Sequence, residues 1–269
     1  MKTLFVLCAA LSLAYGFDVQ EKETIRQTFP AAAHLEVDNV FGLIHVIGYS
    51  GTEIQMTAEK TIDADSKDRL DAAKREVKLD TTQSGDELRI YVDGPFRHRD
   101  SGGHRGYRVT YDFELKVPLA TAARLAAVNH GHIRLEGTAG DFDLSNVNGG
   151  IELADAGGSG SAHTVNGKIS ASFAQNPAAN TSFKSVNGSI EASFPPNLAA
   201  DISVKTLNGG AYTDFDMTAL AQAAPVAERR GGKFIYRSGR STSLRVGAGG
   251  PQLKFETVNG SIRIVKRGQ

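Results

Sequence analysis

The sequence predicts an all-β protein, and within that class it favours a β-solenoid with an N-terminal β-rich cap region containing one helix. A Val-Asn-Gly-x-Ile phrase recurs through the second half of the chain, and most of its glycines follow one another at spacings of 18 to 21 residues. The residues around each phrase alternate between apolar and polar, as in a half-buried strand. Glycine is also abundant, with 29 residues, where average usage would give roughly 19.

Residues 1–16 are predicted to be a signal peptide. Lys2 precedes a short apolar run, and the segment ends in a small-x-small pattern at Gly16. Cleavage there would remove the single cysteine, Cys8, and leave 253 residues (269 − 16). We therefore expect an exported protein that is periplasmic, bound at the cell surface or secreted.

The charge of the chain excludes several classes of partner. Thirty Lys and Arg residues balance thirty Asp and Glu residues, whereas nonspecific binding to nucleic acid or to an anionic membrane needs an excess of positive charge. No stretch after residue 16 reaches the roughly 18 consecutive apolar residues of a membrane-spanning helix. We predict no nucleic-acid partner and no integral membrane segment after processing.

Residues 17–118 are predicted to form the cap region. Short alternating runs predict strands at 35–37, 44–46, 53–58, 87–92 and 108–117. The one good helix candidate is 63–78, where Leu70, Ala73 and Val77 recur at helical spacing. Asp63 or Asp65 is expected to cap the N-terminus of this helix.

Residues 119–269 are predicted to form the repeat region, with an insertion at about 216–250 that could begin with a short helix at 217–224. Each Asn-Gly pair is either a two-residue hairpin turn or the corner of a solenoid coil. The near-constant spacing favours the solenoid, in which the asparagines form a ladder and the corner glycines take up positive φ. The predicted corner residues are Gly131, Asn148, Gly149, Asn166, Gly167, Asn187, Gly188, Asn208, Gly209, Asn259 and Gly260.

Two features together carry a family resemblance. One is the set of Asn-Gly phrases, ending in Val-Asn-Gly-Ser-Ile at 258–262, and the other is the strand at 111–117 that Pro118 closes before the first coil. Over roughly residues 35 to 266, the chain resembles the bacterial putative-adhesin family of β-strand repeat proteins, whose molecular function is unknown. The resemblance implies a β-solenoid-like domain in an exported or envelope protein, and it implies no catalytic residues.

No catalytic, cofactor or metal site is predicted. His130, His132 and His163 would come close together in stacked coils, and three imidazoles can bind a metal, but surface or corner positions explain them more simply. Acidic residues on the predicted strands allow comparison with β-helices that cleave acidic polysaccharides, although they also fit a solvated strand face. These residues are Glu136, Asp141, Asp143, Glu152, Asp155 and Glu191.

A basic loop is the one candidate binding site. It could hold phosphate, sulfate or an acidic glycan, or it could be a solvated loop tip. It lacks the interleaved aromatic residues on which single-stranded nucleic acid stacks. Its residues are Arg97, His98, Arg99, His104 and Arg105, followed by Arg108.

The sequence thus predicts a non-enzymatic exported or cell-envelope protein whose repeat is a rigid scaffold or adhesive surface. Its partner would be an unidentified envelope protein or glycan, and self-association through the solenoid ends is an alternative. A second hypothesis is a module that binds glycan or another envelope polymer through the basic loop. A third is a polysaccharide-active enzyme.

Overall fold

The computed structural model describes residues 5–9, 19–97, 105–129, 131–220, 226–230, 233–237 and 242–268. In these ranges the protein is all-β with a single α-helix, which confirms the predicted class, and two large mixed sheets account for most of the chain. No helix in these ranges has the length and apolar character needed to cross a membrane.

The elements follow one another along the chain as β-strands with one helix between the fifth and sixth. They are β1 (Phe5–Ala9), β2 (Val19–Pro30), β3 (His34–Asp38), β4 (Ile44–Tyr49), β5 (Glu53–Ala64), α1 (Lys67–Glu76), β6 (Lys78–Ser84), β7 (Glu87–Asp93), β8 (Tyr107–Pro118), β9 (Ala122–Asn129), β10 (Ile133–Glu136), β11 (Phe142–Asn148), β12 (Ile151–Ala156), β13 (Gly160–Asn166), β14 (Ile169–Phe173), β15 (Thr181–Asn187), β16 (Ile190–Phe194), β17 (Ala200–Asn208), β18 (Ala211–Thr213), β19 (Met217–Ala219), β20 (Val226–Arg230), β21 (Lys233–Arg237), β22 (Thr242–Val246), β23 (Gln252–Asn259) and β24 (Ile262–Lys266).

The strands form two eleven-stranded sheets and one two-stranded sheet. Sheet A has the order β1-β2-β5-β8-β4-β10-β12-β14-β16-β24-β18. Sheet B has the order β19-β22-β17-β23-β15-β13-β11-β9-β3-β7-β6, and β20 pairs with β21 alone.

From β9 to β16, successive strands alternate between the two sheets, and each of β9 to β14 pairs in parallel with the strand two places further on. The strands on either side of an Asn-Gly pair therefore belong to different sheets, so the hairpin interpretation is wrong. The register aligns the isoleucines that follow each pair, and all of them are fully buried. They are Ile133, Ile151, Ile169 and Ile190.

The C-terminal strands do not lie at the end of the stack. Strand β23 lies between β15 and β17 in sheet B, and β24 lies between β16 and β18 in sheet A. Asn259 therefore pairs with Asn187 on one side and with Asn208 on the other. The segment between β18 and β23 allows this strand order. Within it, β22 pairs antiparallel with one side of β17, and the chain then continues to β23, which pairs with the other side.

The helix predictions need two corrections. The cap of α1 is Ser66, whose Oγ accepts a hydrogen bond from the backbone N–H of Arg69 at 3.3 Å, and not Asp63 or Asp65. Asp63 instead belongs to β5, which pairs along its length with β2 and β8. The short helix expected at 217–224 is also wrong at its start, because 217–219 form the strand β19. Residues 221–225 lie outside the described residues.

The core between the sheets contains a run of phenylalanines contributed by successive layers. The rings of Phe173 and Phe194 stack at a centroid distance of 4.8 Å, and those of Phe183 and Phe255 at 5.2 Å. Phe194 and Phe255 meet edge to face at 6.5 Å, which joins the two pairs. All four rings are fully buried, so the C-terminal strand β23 is part of the central core.

At three of the Asn-Gly positions, glycine is required by close packing rather than by positive φ, whereas Gly209 and Gly260 have φ of 159° and 157°. Among the described residues with positive φ, Gly149, Gly167 and Gly188 are absent, which corrects the expected left-handed corners. A Cβ on Gly188 would lie 1.9 Å from the carbonyl oxygen of Gly167, and one on Gly167 would lie 2.2 Å from that of Gly149. Neighbouring corners are therefore in backbone contact, and a side chain has no room there.

Candidate functional site

The predicted basic loop begins with an arginine that is held inside the protein. The guanidinium of Arg97 donates to both carboxylate oxygens of Asp38, at 3.2 and 3.0 Å, and to the Asp38 carbonyl at 3.1 Å. Its Nε donates to the carbonyl of Val92 at 2.6 Å, and the guanidinium lies 4.1 Å from the ring centroid of Tyr91. Arg97 is therefore an anchor for the loop, with four of its five donors already used.

The other predicted loop residues are not brought together in the described part of the chain. Arg105 lies 3.8 Å from the carboxylate of Glu76, which also accepts a hydrogen bond from the hydroxyl of Tyr107. Burial and this carboxylate raise the pKa of Tyr107 to about 12. His98, Arg99 and His104 lie outside the described residues.

Of the three histidines considered for a metal site, the two that are described lie on different sheets. His132 precedes β10 of sheet A and lies 3.5 Å from Glu152. His163 is on β13 of sheet B, in register with Ser145 and Lys184. His130 lies outside the described residues, and within them no cluster of three His, Cys, Asp or Glu side chains is arranged for a metal ion.

The predicted corner asparagines form a continuous side-chain ladder. Five bonds join six asparagines, and in each one an amide Nδ2 donates to the Oδ1 of the asparagine on a neighbouring strand, at distances between 2.7 and 3.0 Å. The order follows the sheet rather than the sequence, so Asn259 connects Asn187 to Asn208. The complete series is Asn129, Asn148, Asn166, Asn187, Asn259 and Asn208.

A second ladder lies behind the first and was not predicted, and four of its five residues are buried. The residue two positions before each corner asparagine donates its side-chain hydrogen to the carbonyl of a neighbouring corner glycine, as Thr164 does to Gly149 at 2.8 Å. The sequence carries a signal for it, since these positions hold small polar residues where the strand alternation points inward. They are Asn146, Thr164, Ser185, Thr206 and Thr257.

Replacing Asn187 by alanine is expected to lower the free energy of unfolding by about 1 kcal/mol. The variant loses a donor to Asn166 at 2.8 Å and an acceptor for Asn259 at 2.7 Å, and each exposed hydrogen bond contributes at most about 1 kcal/mol. Asn208→Ala is the control, because Asn208 has one ladder bond rather than two. Urea unfolding followed by circular dichroism measures both, and equal losses would contradict the ladder order.

The outer face of sheet A carries a row of paired charges. The guanidinium of Arg134 lies between Glu136, at 3.0 Å, and Glu152, and Lys168 binds Glu191 at 2.7 Å. Hydrogen bonds from Arg134, and secondly from His45, lower the pKa of Glu136. A hydrogen bond from Lys168 lowers the pKa of Glu191. Three of the acidic residues singled out from the sequence lie on this face, and all three are salt-bridged; they are Glu136, Glu152 and Glu191.

Sheet B carries an open groove where its parallel strands begin. Its volume is about 560 Å³, and it crosses the starts of β7, β3, β9, β11 and β13. Small residues such as Ala122, Gly160 and Ala179 line it, and four carboxylates and one arginine are placed around it. Sequence reasoning missed this groove because its residues come from separate coils and share no motif.

Comparisons with known proteins give structural similarities alone. No family model and no curated protein matches the chain. It is similar to a putative cell adhesion protein from Clostridium sporogenes, with 10% identity, a TM-score of 0.42, and coverage of 90% of this chain and 99% of that one. It is also similar to a putative adhesin from Bacteroides fragilis, with 9% identity, a TM-score of 0.30, and coverage of 90% and 96%.

A putative lipid binding protein from Parabacteroides distasonis has 12% identity, a TM-score of 0.27, and coverage of 91% of this chain and 96% of that one. Two of these three proteins are named for adhesion, and the third is named for lipid binding. Because these TM-scores lie below 0.5, the description of the fold depends on the strand pairing alone.

Proposed function

We propose that the protein is a non-enzymatic, adhesin-like scaffold of the cell envelope or extracellular space, and that its stack is a β-solenoid. The observation that carries this proposal is the common register of the coils. Ile133, Ile151 and Ile169 align inside the stack while the asparagine ladder connects the corners outside. Such a stack gives a long and stiff pair of strand faces, which suits a surface for binding other molecules.

The proposal keeps three segments. Residues 1–16 are a signal peptide whose removal on export takes β1 with it and leaves β2 as the edge strand of sheet A. Residues 17–118 form the cap region, and 119–269 form the repeat region with its insertion. The partner is an envelope protein or a glycan that contacts the strand faces. The salt-bridged rows on sheet A would provide donors and acceptors for such a partner at regular intervals of about 4.8 Å, the spacing between strands.

The electrostatics of sheet A support the non-enzymatic part of the proposal. A polysaccharide-cleaving enzyme needs a general acid whose pKa is raised, so that it still carries a proton near neutral pH. Glu136 and Glu191 have lowered pKa values because cationic neighbours stabilise their charged forms. Carboxylates in this state are suited to binding rather than to proton donation.

Two measurements on protein purified from an exporting host test the proposal. N-terminal sequencing is expected to begin at Phe17, and an intact N-terminus on protein recovered from the cytoplasm would contradict export. Co-sedimentation with envelope polymers and envelope proteins is expected to show saturable binding to one class without hydrolysis of any polymer. Absence of binding across the panel, or turnover of a polysaccharide, would contradict the scaffold role.

A loop variant separates the main proposal from the glycan-binding alternative. Arg99→Ala combined with Arg105→Ala removes two loop charges and leaves the anchor Arg97 in place. Binding to the partner found in the co-sedimentation experiment is expected to stay within two-fold of the unmodified protein. A loss of binding greater than ten-fold would assign the site to the basic loop.

A further inference from the structure

The groove on sheet B has enough volume to hold side chains from another polypeptide segment. Its volume of about 560 Å³ runs across five neighbouring strands, and its lining includes Ala122, Gly160 and Ala179. Gly160 cannot be replaced by a larger residue, since a Cβ there would lie 1.8 Å from the carbonyl oxygen of Phe142. The small residues keep this depression open along the stack axis.

The groove is negatively charged. Its lining has four carboxylates against one arginine, a formal charge of −3 with His34 neutral. Asp143 lies 4.0 Å from Arg124, and Glu36 lies 3.8 Å from Arg89, at the upper limit for an ion pair. Glu87 makes no ion pair within the described part of the chain. An occupant of this groove should therefore be cationic.

The insertion supplies a cationic segment of the right kind. Strands β20 and β21 pair with each other and join neither large sheet. Three arginines and one lysine against one glutamate give them a formal charge of +3; these residues are Arg229, Arg230, Arg237, Lys233 and Glu228. A two-stranded hairpin is only marginally stable alone in water, so docking onto another surface would stabilise it.

The groove and the strands that flank the insertion lie at opposite parts of sheet B. The groove lies over strands β7 to β13, whereas the insertion leaves sheet B at its other edge, through β19 and β22. The strands β15, β23 and β17 separate the two regions within the sheet. Contact between two copies of the chain would thus join the hairpin end of one stack to the groove end of the next.

We propose that the groove of one copy binds the β20–β21 hairpin of a second copy, so that the protein assembles head to tail. The two surfaces differ, so the contact is heterologous and can repeat to form a chain of molecules. The assembly is electrostatic in origin and weakens as salt increases. It concerns self-association, and so it stands independently of the envelope partner proposed above.

A charge exchange tests this assembly. The groove variant combines Glu36→Lys with Glu87→Lys, which changes the formal charge of the groove from −3 to +1. The hairpin variant combines Arg229→Glu with Lys233→Glu, which changes the charge of the hairpin from +3 to −1. The control reverses two exposed charges on sheet A strands, Glu53→Lys and Glu114→Lys.

Sedimentation velocity over a range of protein concentrations at low ionic strength gives the readout. The unmodified protein and the control are expected to grow in mean mass with concentration, and each exchange variant alone should associate at least ten-fold more weakly. An equimolar mixture of the two variants should regain the association, because each hairpin then meets a groove of opposite charge. Circular dichroism checks that all variants remain folded.

Three results would overturn the inference. The first is a monomeric unmodified protein at every concentration, which would leave the hairpin free or docked within its own chain. The second is a groove variant that associates as strongly as the unmodified protein, which would place the contact elsewhere. The third is a mixture of folded variants that stays monomeric. None of these results bears on binding to an envelope partner, which is measured separately by co-sedimentation.

Discussion

Replacing Gly188 by alanine is expected to lower the free energy of unfolding by about 2–3 kcal/mol, the upper range for overpacking in a filled interior. The new Cβ would lie 1.9 Å from the carbonyl oxygen of Gly167 and 2.5 Å from its carbon. That carbonyl also accepts a hydrogen bond from the buried hydroxyl of Ser185 at 3.0 Å. To relieve the clash, the backbone at Gly167 and the backbone at Gly188 must move apart, and this movement breaks hydrogen bonds between the two segments.

Gly157→Ala is the matched control for this prediction. It lies at the opposite corner of a coil, its φ is ordinary, and the nearest atom to the added Cβ would be the Cα of Ala139 at 3.3 Å. We expect this variant to lose less than about 1 kcal/mol. Urea unfolding followed by circular dichroism compares the two. Equal stability losses would mean that the corners are not in close backbone contact.

Phe255→Ala is expected to cost about 4 kcal/mol, within the range of 3–5 kcal/mol found when a buried phenylalanine is truncated. The ring is fully buried, it stacks on Phe183 at 5.2 Å, and it meets Phe194 edge to face at 6.5 Å. Although Phe255 is close to the end of the sequence, it occupies the middle of the stack. Its loss should therefore destabilise coils on both sides.

Phe215→Ala provides the comparison for the phenylalanine result. Phe215 follows β18, the edge strand of sheet A, and retains 7% of its exposure. Lys266 lies over its ring at 5.6 Å. Because it packs at the edge of the stack, we expect a loss at least about 1 kcal/mol smaller than for Phe255. The reverse ranking would indicate that the C-terminal coil is the terminal layer.

The sequence predicted the strands and corners because their signals are local. Alternation and the Asn-Gly phrase lie within each coil, so they could be recognised without knowing which coils touch. The order of the coils is a long-range property, and the phrase is too similar in all copies to specify it. One signal was available: 186–190 and 258–262 both read Val-Asn-Gly-Ser-Ile, and these are the coils that lie side by side.

The candidate site was less accessible to sequence reasoning. The basic loop was visible as a cluster of charges, but the partner of Arg97 is Asp38, which lies 59 positions earlier in the chain. The groove on sheet B depends on small residues from several coils, each unremarkable in its own segment. The sequence suggested positive φ at the Asn-Gly positions, whereas the close approach of carbonyls from neighbouring strands became visible only in the strand pairing.

The coil order is tested most directly by pairs of cysteines at the corners. Cys8, the one native cysteine, is replaced by serine. One variant then carries Asn187→Cys with Asn259→Cys, on adjacent strands whose Cα atoms are about 4.8 Å apart. The other carries Asn187→Cys with Asn208→Cys, two strand spacings apart at about 9.6 Å, beyond the reach of a disulfide.

Mild oxidation of both folded variants, followed by mass spectrometry of the peptides, gives the answer. The account predicts an intramolecular disulfide between positions 187 and 259 and none between 187 and 208. A disulfide between 187 and 208, with free thiols in the 187 and 259 variant, would show that the coils stack in sequence order and would contradict the insertion of the C-terminal coil into the middle of the stack.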